Sequence, residues 1–136
     1  MSPGTRTVLR DLAALVLVAV TCPVALFGGA LVSCAAQGLT TECALNGILV
    51  SPILLLASGA VAGILTRGWP GLGFVVFGVV AGLVAIPLLT AAVGNPVPVD
   101  PFSGLLALLF FMPPVVLGYG IARGVARLVT RSRPKA

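Results

Sequence analysis

Hydrophobic residues occupy this chain in four long uncharged runs, and charged residues stand almost only between them. The runs contain 30, 24, 32 and 22 residues, and they follow Asp11, Glu42, Arg67 and Asp100. Since about 20 apolar residues cross the hydrocarbon core of a bilayer as a helix, each run is long enough for one crossing. The pattern predicts an all-α integral membrane protein, a bundle of four transmembrane helices. Their predicted ranges are 10–33, 44–66, 71–94 and 102–125.

Composition excludes a water-soluble fold. The chain is 59% hydrophobic and 8% charged, with a mean hydropathy of +1.20, whereas about a quarter of the residues in an average soluble domain are charged. So few charged side chains cannot cover the surface of a soluble domain, and lipid must cover it instead. We therefore expect a single transmembrane domain over residues 1–136, which ends in a basic cytoplasmic tail at 126–136.

Basic residues collect on one side of the predicted membrane. Cytoplasmic segments of membrane proteins are enriched in Lys and Arg. All eight basic residues fall before the first helix, between the second and third, or after the fourth, while Glu42 and Asp100 fall on the opposite side. The distribution predicts that both termini are cytoplasmic and that the net charge of +5 is a topology signal, so no nucleic-acid partner is expected. A bias toward Arg, Ala, Val, Gly and Leu favours the cytoplasmic membrane of a bacterium.

Glycine and proline are frequent, which is typical of transmembrane helices. Pro23, Pro87 and the Pro113–Pro114 pair predict kinks, and Asp100 before Pro101 predicts the start of the fourth helix. Small residues at helical spacing let two helix backbones approach closely. Predicted helix-packing positions of this kind are Gly59, Gly63, Gly78, Gly82, Gly120 and Gly124. The same motifs could form dimerisation faces, but a compact bundle can use all of them internally.

Two of the three cysteines fall on the predicted outer side. Cys34 and Cys43 flank a short loop, so we expect a structural disulfide between them. A redox-active pair is the alternative, although such pairs usually have Cys-x-x-Cys spacing. The segment Leu31–Cys34 also fits a bacterial lipobox, in which Cys34 would be lipidated after cleavage. Cys22 lies in the middle of the first helix, where a small buried hydrophobic side chain is expected.

Ionisable groups are missing from the predicted spans, and the chain has no histidine. Proton relays, haem ligation and ordinary catalytic bases therefore lack their usual groups, and no catalytic residue, cofactor or metal is expected. The same reasoning predicts that any transport is not coupled to protons. Arg123, Arg127 and Arg131 lie four residues apart where the fourth helix leaves the membrane, and we expect them to contact anionic lipid headgroups.

The sequence favours a non-catalytic accessory or scaffolding subunit that associates with other membrane proteins or with itself. The alternative is a small channel, or a transporter not coupled to protons, that acts as an oligomer. Its polar lining would come from Ser51, Ser58, Thr66 or Thr90. An enzyme is the weakest candidate, because only Cys, Ser or loop carboxylates at the membrane edge could carry its chemistry. No family is recognised from the sequence.

Overall fold

The computed structural model of the protein describes residues 3–35, 41–66, 68–94, 98 and 100–132, and the side chains within these ranges except at 3, 29–33, 41–48 and 69. The described residues form four α-helices, which confirms the predicted all-helical fold. The helices are α1 (Pro3–Ala35), α2 (Thr41–Leu65), α3 (Trp69–Ala92) and α4 (Pro101–Ser132).

Two helices are longer than the uncharged runs predicted. Helix α1 begins at Pro3, about two turns before the predicted residue 10, and α4 continues to Ser132, past the predicted residue 125. Charge marks where a chain leaves lipid, but Arg is a good helix former, so the helical backbone continues into the charged segments. The predicted start of α4 is confirmed, because Asp100 precedes Pro101 and its carboxylate accepts a hydrogen bond from the Ser103 backbone N–H at 3.1 Å.

Within the described residues, three helices are long and apolar enough to cross a membrane. These stretches are Gly4–Gly28, Pro70–Ala92 and Pro101–Ser132. In α2 the described apolar stretch is the shorter Leu49–Leu65. Large hydrophobic side chains point outward on all four helices, among them Val20, Ile64, Phe77 and Leu109. An apolar exterior of this kind fits a lipid environment, since a soluble bundle places polar residues on its outer face.

The helices form a four-membered ring in the order α1, α2, α4, α3. Helix α1 packs on α2 and α3, helix α4 packs mainly on α2, and the α3–α4 seam is the least extensive of the four. The interior is filled by small and medium apolar side chains. Its fully buried members include Ala14, Val18, Leu55, Val75, Val79 and Val115.

Glycines bring two helix pairs into backbone contact. A Cβ placed on Gly78 would lie 2.8 Å from the carbonyl oxygen of Leu15, and one on Gly82 would lie 2.8 Å from that of Ala19. The residue numbers of the two contacting partners increase together along α1 and α3, so these helices run in the same direction. Side chains of ordinary size would prevent this approach.

Helices α2 and α4 form the second parallel pair. A Cβ on Gly59 would overlap the carbonyl oxygen of Val115, and a Cβ on Gly63 would lie 2.8 Å from that of Tyr119. From the opposite side, a Cβ on Gly118 would overlap the carbonyl oxygen of Leu56. The two backbones therefore interlock over about two turns, and glycine is required on both sides of the seam.

Candidate functional site

A hydrogen-bonded cluster ties the junction between α2 and α3 to α4, at the end of the bundle that carries Arg123. The Tyr119 hydroxyl donates to the backbone carbonyl of Gly68 at 3.0 Å. The Thr66 hydroxyl lies 3.1 Å from the Tyr119 oxygen and 2.9 Å from the Ala62 carbonyl, so its single proton serves one acceptor at a time. The Arg123 guanidinium donates to the Thr66 carbonyl at 3.1 Å. Thr66 and Tyr119 are buried, so this cluster fixes the α2–α3 junction in place.

Gly71 explains why the junction cluster can form. A Cβ at this position would lie 2.6 Å from the Thr66 hydroxyl oxygen and 3.0 Å from the Tyr119 hydroxyl oxygen. Neither distance leaves room for a side chain. Glycine at the start of α3 therefore gives the two hydroxyl groups the space in which they meet.

A half-open groove of about 280 Å³ lies beside the junction cluster, between α3 and α4. It is lined mainly by apolar surface, and Arg123 and Arg127 are its charged lining residues. Its lining consists of Gly68, Leu72, Val116, Tyr119, Gly120, Arg123, Gly124 and Arg127. Among the predicted lipid-contacting arginines, Arg123 is partly buried, whereas Arg127 and Arg131 are exposed and Arg131 lies outside the groove lining.

The predicted packing glycines divide into two groups. Gly59, Gly63, Gly78 and Gly82 lie at the close helix contacts described above. Gly120 and Gly124 do not, because nothing lies within 4 Å of a Cβ built at either position. Their predicted role in helix packing stays a prediction, and both line the groove. The glycine of α4 that meets another helix is Gly118, which the sequence analysis did not select.

Asp11 is a buried acidic residue within α1, and the expectation that the spans hold no ionisable group stays a prediction. The apolar stretch of α1 that could cross a membrane is Gly4–Gly28, which includes Asp11. The residue is 5% exposed, and its Oδ1 atom is buried with no hydrogen-bond partner among the described residues. The uncharged run was counted from Asp11 onward, which treated this residue as the edge of the span.

Hydroxyl groups proposed as a channel lining are mostly engaged by the backbone of their own helix. The Ser58 hydroxyl donates to the Leu55 carbonyl at 2.8 Å, and that of Thr90 donates to the Pro87 carbonyl at 3.0 Å. Ser51 is fully buried and Thr66 belongs to the junction cluster. Ser51 and Ser58 lie in α2, Thr66 lies directly after it, and Thr90 lies in α3.

Cysteine positions are described in part. Cys22 is a free cysteine buried in the core, as the sequence predicts. The side chain of Cys43 lies outside the described residues, so the Cys34–Cys43 disulfide stays a prediction. Among the described residues, no group of three or more His, Cys, Asp or Glu side chains lies close enough together to hold a metal ion.

Comparison with known protein families, curated proteins and solved structures finds no match to this chain. The function must therefore be argued from the residues themselves. Sequence reasoning missed Asp11, Gly118 and the partners of Tyr119. A usable signal existed for Asp11, because Asp11, Ala14, Val18 and Cys22 share the spacing of one helix face.

Proposed function

We propose that this protein is a non-catalytic accessory or scaffolding subunit of a complex in a bacterial cytoplasmic membrane. In this proposal it crosses the bilayer four times with both termini in the cytoplasm, and α2 is the fourth span. It associates with other membrane subunits or with a second copy of itself. It requires no cofactor.

The observation that carries the proposal is the interlocked seam between α2 and α4. At Gly59 and Gly118 the two backbones touch, so the space between these helices is filled by the chain itself. The α1–α3 seam at Gly78 and Gly82 is closed in the same way. An interior packed by backbone contact makes a rigid body with defined outer faces, which is what a scaffold presents to its partners.

The arginine end of α4 supports an orientation for this scaffold. Arg123, Arg127 and Arg131 lie on the last turns of a helix that is apolar before them. Anionic headgroups attract each such charge by about 1 kcal/mol near the membrane surface. We propose that these residues contact cytoplasmic-leaflet lipid, with an acyl chain or a glycerol backbone resting in the groove beside Gly120 and Gly124.

A second candidate, a small transporter, is favoured by one observation. Asp11 is a buried carboxyl group in a membrane helix, and such groups commonly belong to ion or proton pathways. The expectation that any transport is not coupled to protons stays a prediction. The accessory role remains the proposal, because the hydroxyl groups that a pathway would use are bonded to their own helices.

Extraction and flux measurements together test the accessory role. The tagged protein is extracted gently from its own membranes, and a stoichiometric complex identified by mass spectrometry is the expected result. Gly59→Leu is expected to reduce the recovered complex, because a Leu side chain cannot fit against Val115, while Ser58→Ala should leave it unchanged. In liposomes the wild type should give no flux above empty vesicles. A robust flux whose selectivity changes with Ser58→Ala, at unchanged protein level, would establish the transporter instead.

A further inference from the structure

The groove beside the junction cluster follows one stripe of α4. Its lining residues on that helix, from Val116 to Arg127, recur every three or four positions, which is the spacing of a single helix face. At about 1.5 Å of rise per residue, Val116 and Arg127 are about 16 Å apart along the axis. The groove is therefore elongated, and it is bordered on the other side by Gly68 and Leu72 at the start of α3.

The two ends of the groove differ in chemistry. Val116 is a half-buried apolar residue at the inner end. Arg123 and Arg127 lie about two and three turns nearer the C-terminal end of α4. Among the described lining residues these two are the charged ones, and both are basic. An elongated site that is apolar at one end and cationic at the other is complementary to an anionic amphiphile.

Glycine keeps this groove open. Gly120 and Gly124 line it, and a Cβ built at either position meets nothing within 4 Å. A larger side chain would find room there, and it would take that room from the groove. The volume of about 280 Å³ lies just below the range of small-molecule sites, about 300–1,000 Å³. It suits part of a large molecule, such as a headgroup and the first carbons of one acyl chain, with the remainder in the surrounding bilayer.

Arg123 links the groove to the junction cluster. Its Nη1 donates to the Thr66 carbonyl, which holds the guanidinium beside the α2–α3 junction. A guanidinium carries five N–H donors in a planar fork that matches phosphate oxygens, so one group can bind a carbonyl and a phosphate together. Arg127, one turn further along α4, is exposed and adds a second positive charge. Basic pockets between transmembrane helices bind anionic lipid headgroups in this way.

A second copy of the chain is the other occupant that these glycines suggest, because Gly120 and Gly124 have the small-xxx-small spacing of helix dimers. In a parallel twofold pair through this stripe, Arg123 and Arg127 of both copies would come close together at the seam. Like charges repel, and the repulsion grows in the low dielectric of a membrane. An anionic headgroup neutralises the same charges, so a lipid is the favoured occupant.

We propose that the groove is a specific site for one anionic diacyl phospholipid. Its phosphate binds Arg123 and Arg127, and one acyl chain follows the stripe past Gly120 to Val116. Its binding stabilises the junction cluster through the bond from Arg123 to Thr66, because a ligand that binds only the folded state stabilises that state by mass action. The site rests on the lipid contact proposed above, to which it adds a defined position, a headgroup class and an effect on the fold.

Competition between two lipids tests this site. The full-length protein is purified in a neutral detergent with equal amounts of dioleoylphosphatidylglycerol and dioleoylphosphatidylcholine, and native mass spectrometry counts the lipid retained per chain. Retention of a single phosphatidylglycerol is the expected result. Arg123→Gln and Arg127→Gln should each lower this retention about fivefold, the usual contribution of one basic residue near anionic lipid. Arg131→Gln removes the same charge outside the groove lining and should leave the retention nearly unchanged.

Two glycines of α4 give a matched pair of steric variants. Gly120→Leu should reduce lipid retention because the new side chain occupies the groove, whereas Gly104→Leu, at an open position away from the groove, should not. Both positions are exposed, so both variants should fold. Amide hydrogen exchange measures the effect on the fold. Phosphatidylglycerol should slow exchange at the α2–α3 junction in the wild type and leave it unchanged in Arg123→Gln.

Three results would overturn the lipid site. Equal retention of the two lipids, or equal losses in Arg127→Gln and Arg131→Gln, would reduce it to general surface charge. Exchange that inorganic phosphate slows as well as the lipid does would assign the arginines to a free anion. A dimer that Gly120→Leu separates into monomers, with no lipid retained, would establish a second copy as the occupant. None of these measurements uses a partner protein, so the accessory role, which depends on recovery of a complex, succeeds or fails separately.

Discussion

Adding one methyl group to α4 at position 118 or at position 120 should change the stability of the bundle in opposite directions. In Gly118→Ala the new Cβ would overlap the Leu56 carbonyl oxygen. It would also lie 2.9 Å from the Leu56 carbonyl carbon and 3.0 Å from the Ala60 backbone nitrogen. In Gly120→Ala the Cβ enters open space. Both substitutions gain the same intrinsic helix propensity, about 1 kcal/mol in soluble helices. The difference between the two variants therefore isolates the contact between α2 and α4.

The size of the stability difference between these two variants follows from how far α4 must move away from α2. Ordinary contacts of a Cβ atom begin near 3.4 Å, so the seam must open by about 0.4 Å at Ala60 and by more at Leu56. A gap of about 0.5–1 Å forfeits a quarter to a half of each dispersion contact along the seam. Overpacking in close-packed interiors costs about 1–3 kcal/mol. We expect Gly118→Ala to be less stable than Gly120→Ala by this amount.

The assay is reversible unfolding in mixed micelles, followed by far-ultraviolet circular dichroism as the denaturing detergent is increased. Gly118→Ala should unfold at a clearly lower fraction of denaturing detergent than the wild type, and Gly120→Ala at the same fraction or a higher one. Equal stability of the two variants, within about 0.5 kcal/mol, would refute the interlocked seam, since that is the usual effect of an exposed substitution.

Three further predictions concern topology, the cysteines and pH. Accessibility tags at the N-terminus, near Gly68 and at the C-terminus should report the cytoplasm, and a tag near Val97 should report the outside; an outside C-terminus would end the four-span proposal. Alkylation of the denatured protein before reduction should modify Cys22 alone, whereas a diacylglycerol mass on Cys34 would establish the lipobox alternative. A hydrogen bond from the Ser103 side chain lowers the pKa of Asp100, and the Ser103 backbone N–H adds to the effect. The ionised Asp100 carboxylate therefore stabilises α4 fully above the ordinary aspartate pKa, about 3.9. This stabilisation is lost as the pH falls through the lowered pKa of Asp100. Ser103→Ala should weaken this acid sensitivity in a dichroism titration, and Ser132→Ala should not.

Sequence patterns predicted the helices better than their faces. Uncharged runs located all four helices and the cap at Asp100, because lipid rejects charge wherever the chain crosses it. Spacing alone could not show which glycine of α4 meets α2. Gly118 and Gly120 are both small and lie two residues apart, and only the rotation of α4 decides that one is covered and the other open.

The candidate site was harder to predict for a related reason. Tyr119 fits the pattern of an interfacial aromatic residue, and its bonds to Thr66 and Gly68 depend on contacts across about 50 residues of chain. Asp11 directly precedes the first uncharged run, and the run by itself does not indicate that the Asp11 side chain is buried. The helix continues outward beyond it, so the same residue lies within the bundle.

Both glycine seams join helices that are two apart along the chain, α1 with α3 and α2 with α4. In the proposed four-span topology α1 and α2 enter the membrane first, and the face of α1 that begins at Asp11 must remain against lipid or the translocation machinery until α3 emerges. The seam of α2 likewise stays open until α4 is complete. Assembly of this bundle is therefore a late step of biogenesis. A chain truncated before Gly118 should be cleared by membrane quality control even though most of its helices have been made.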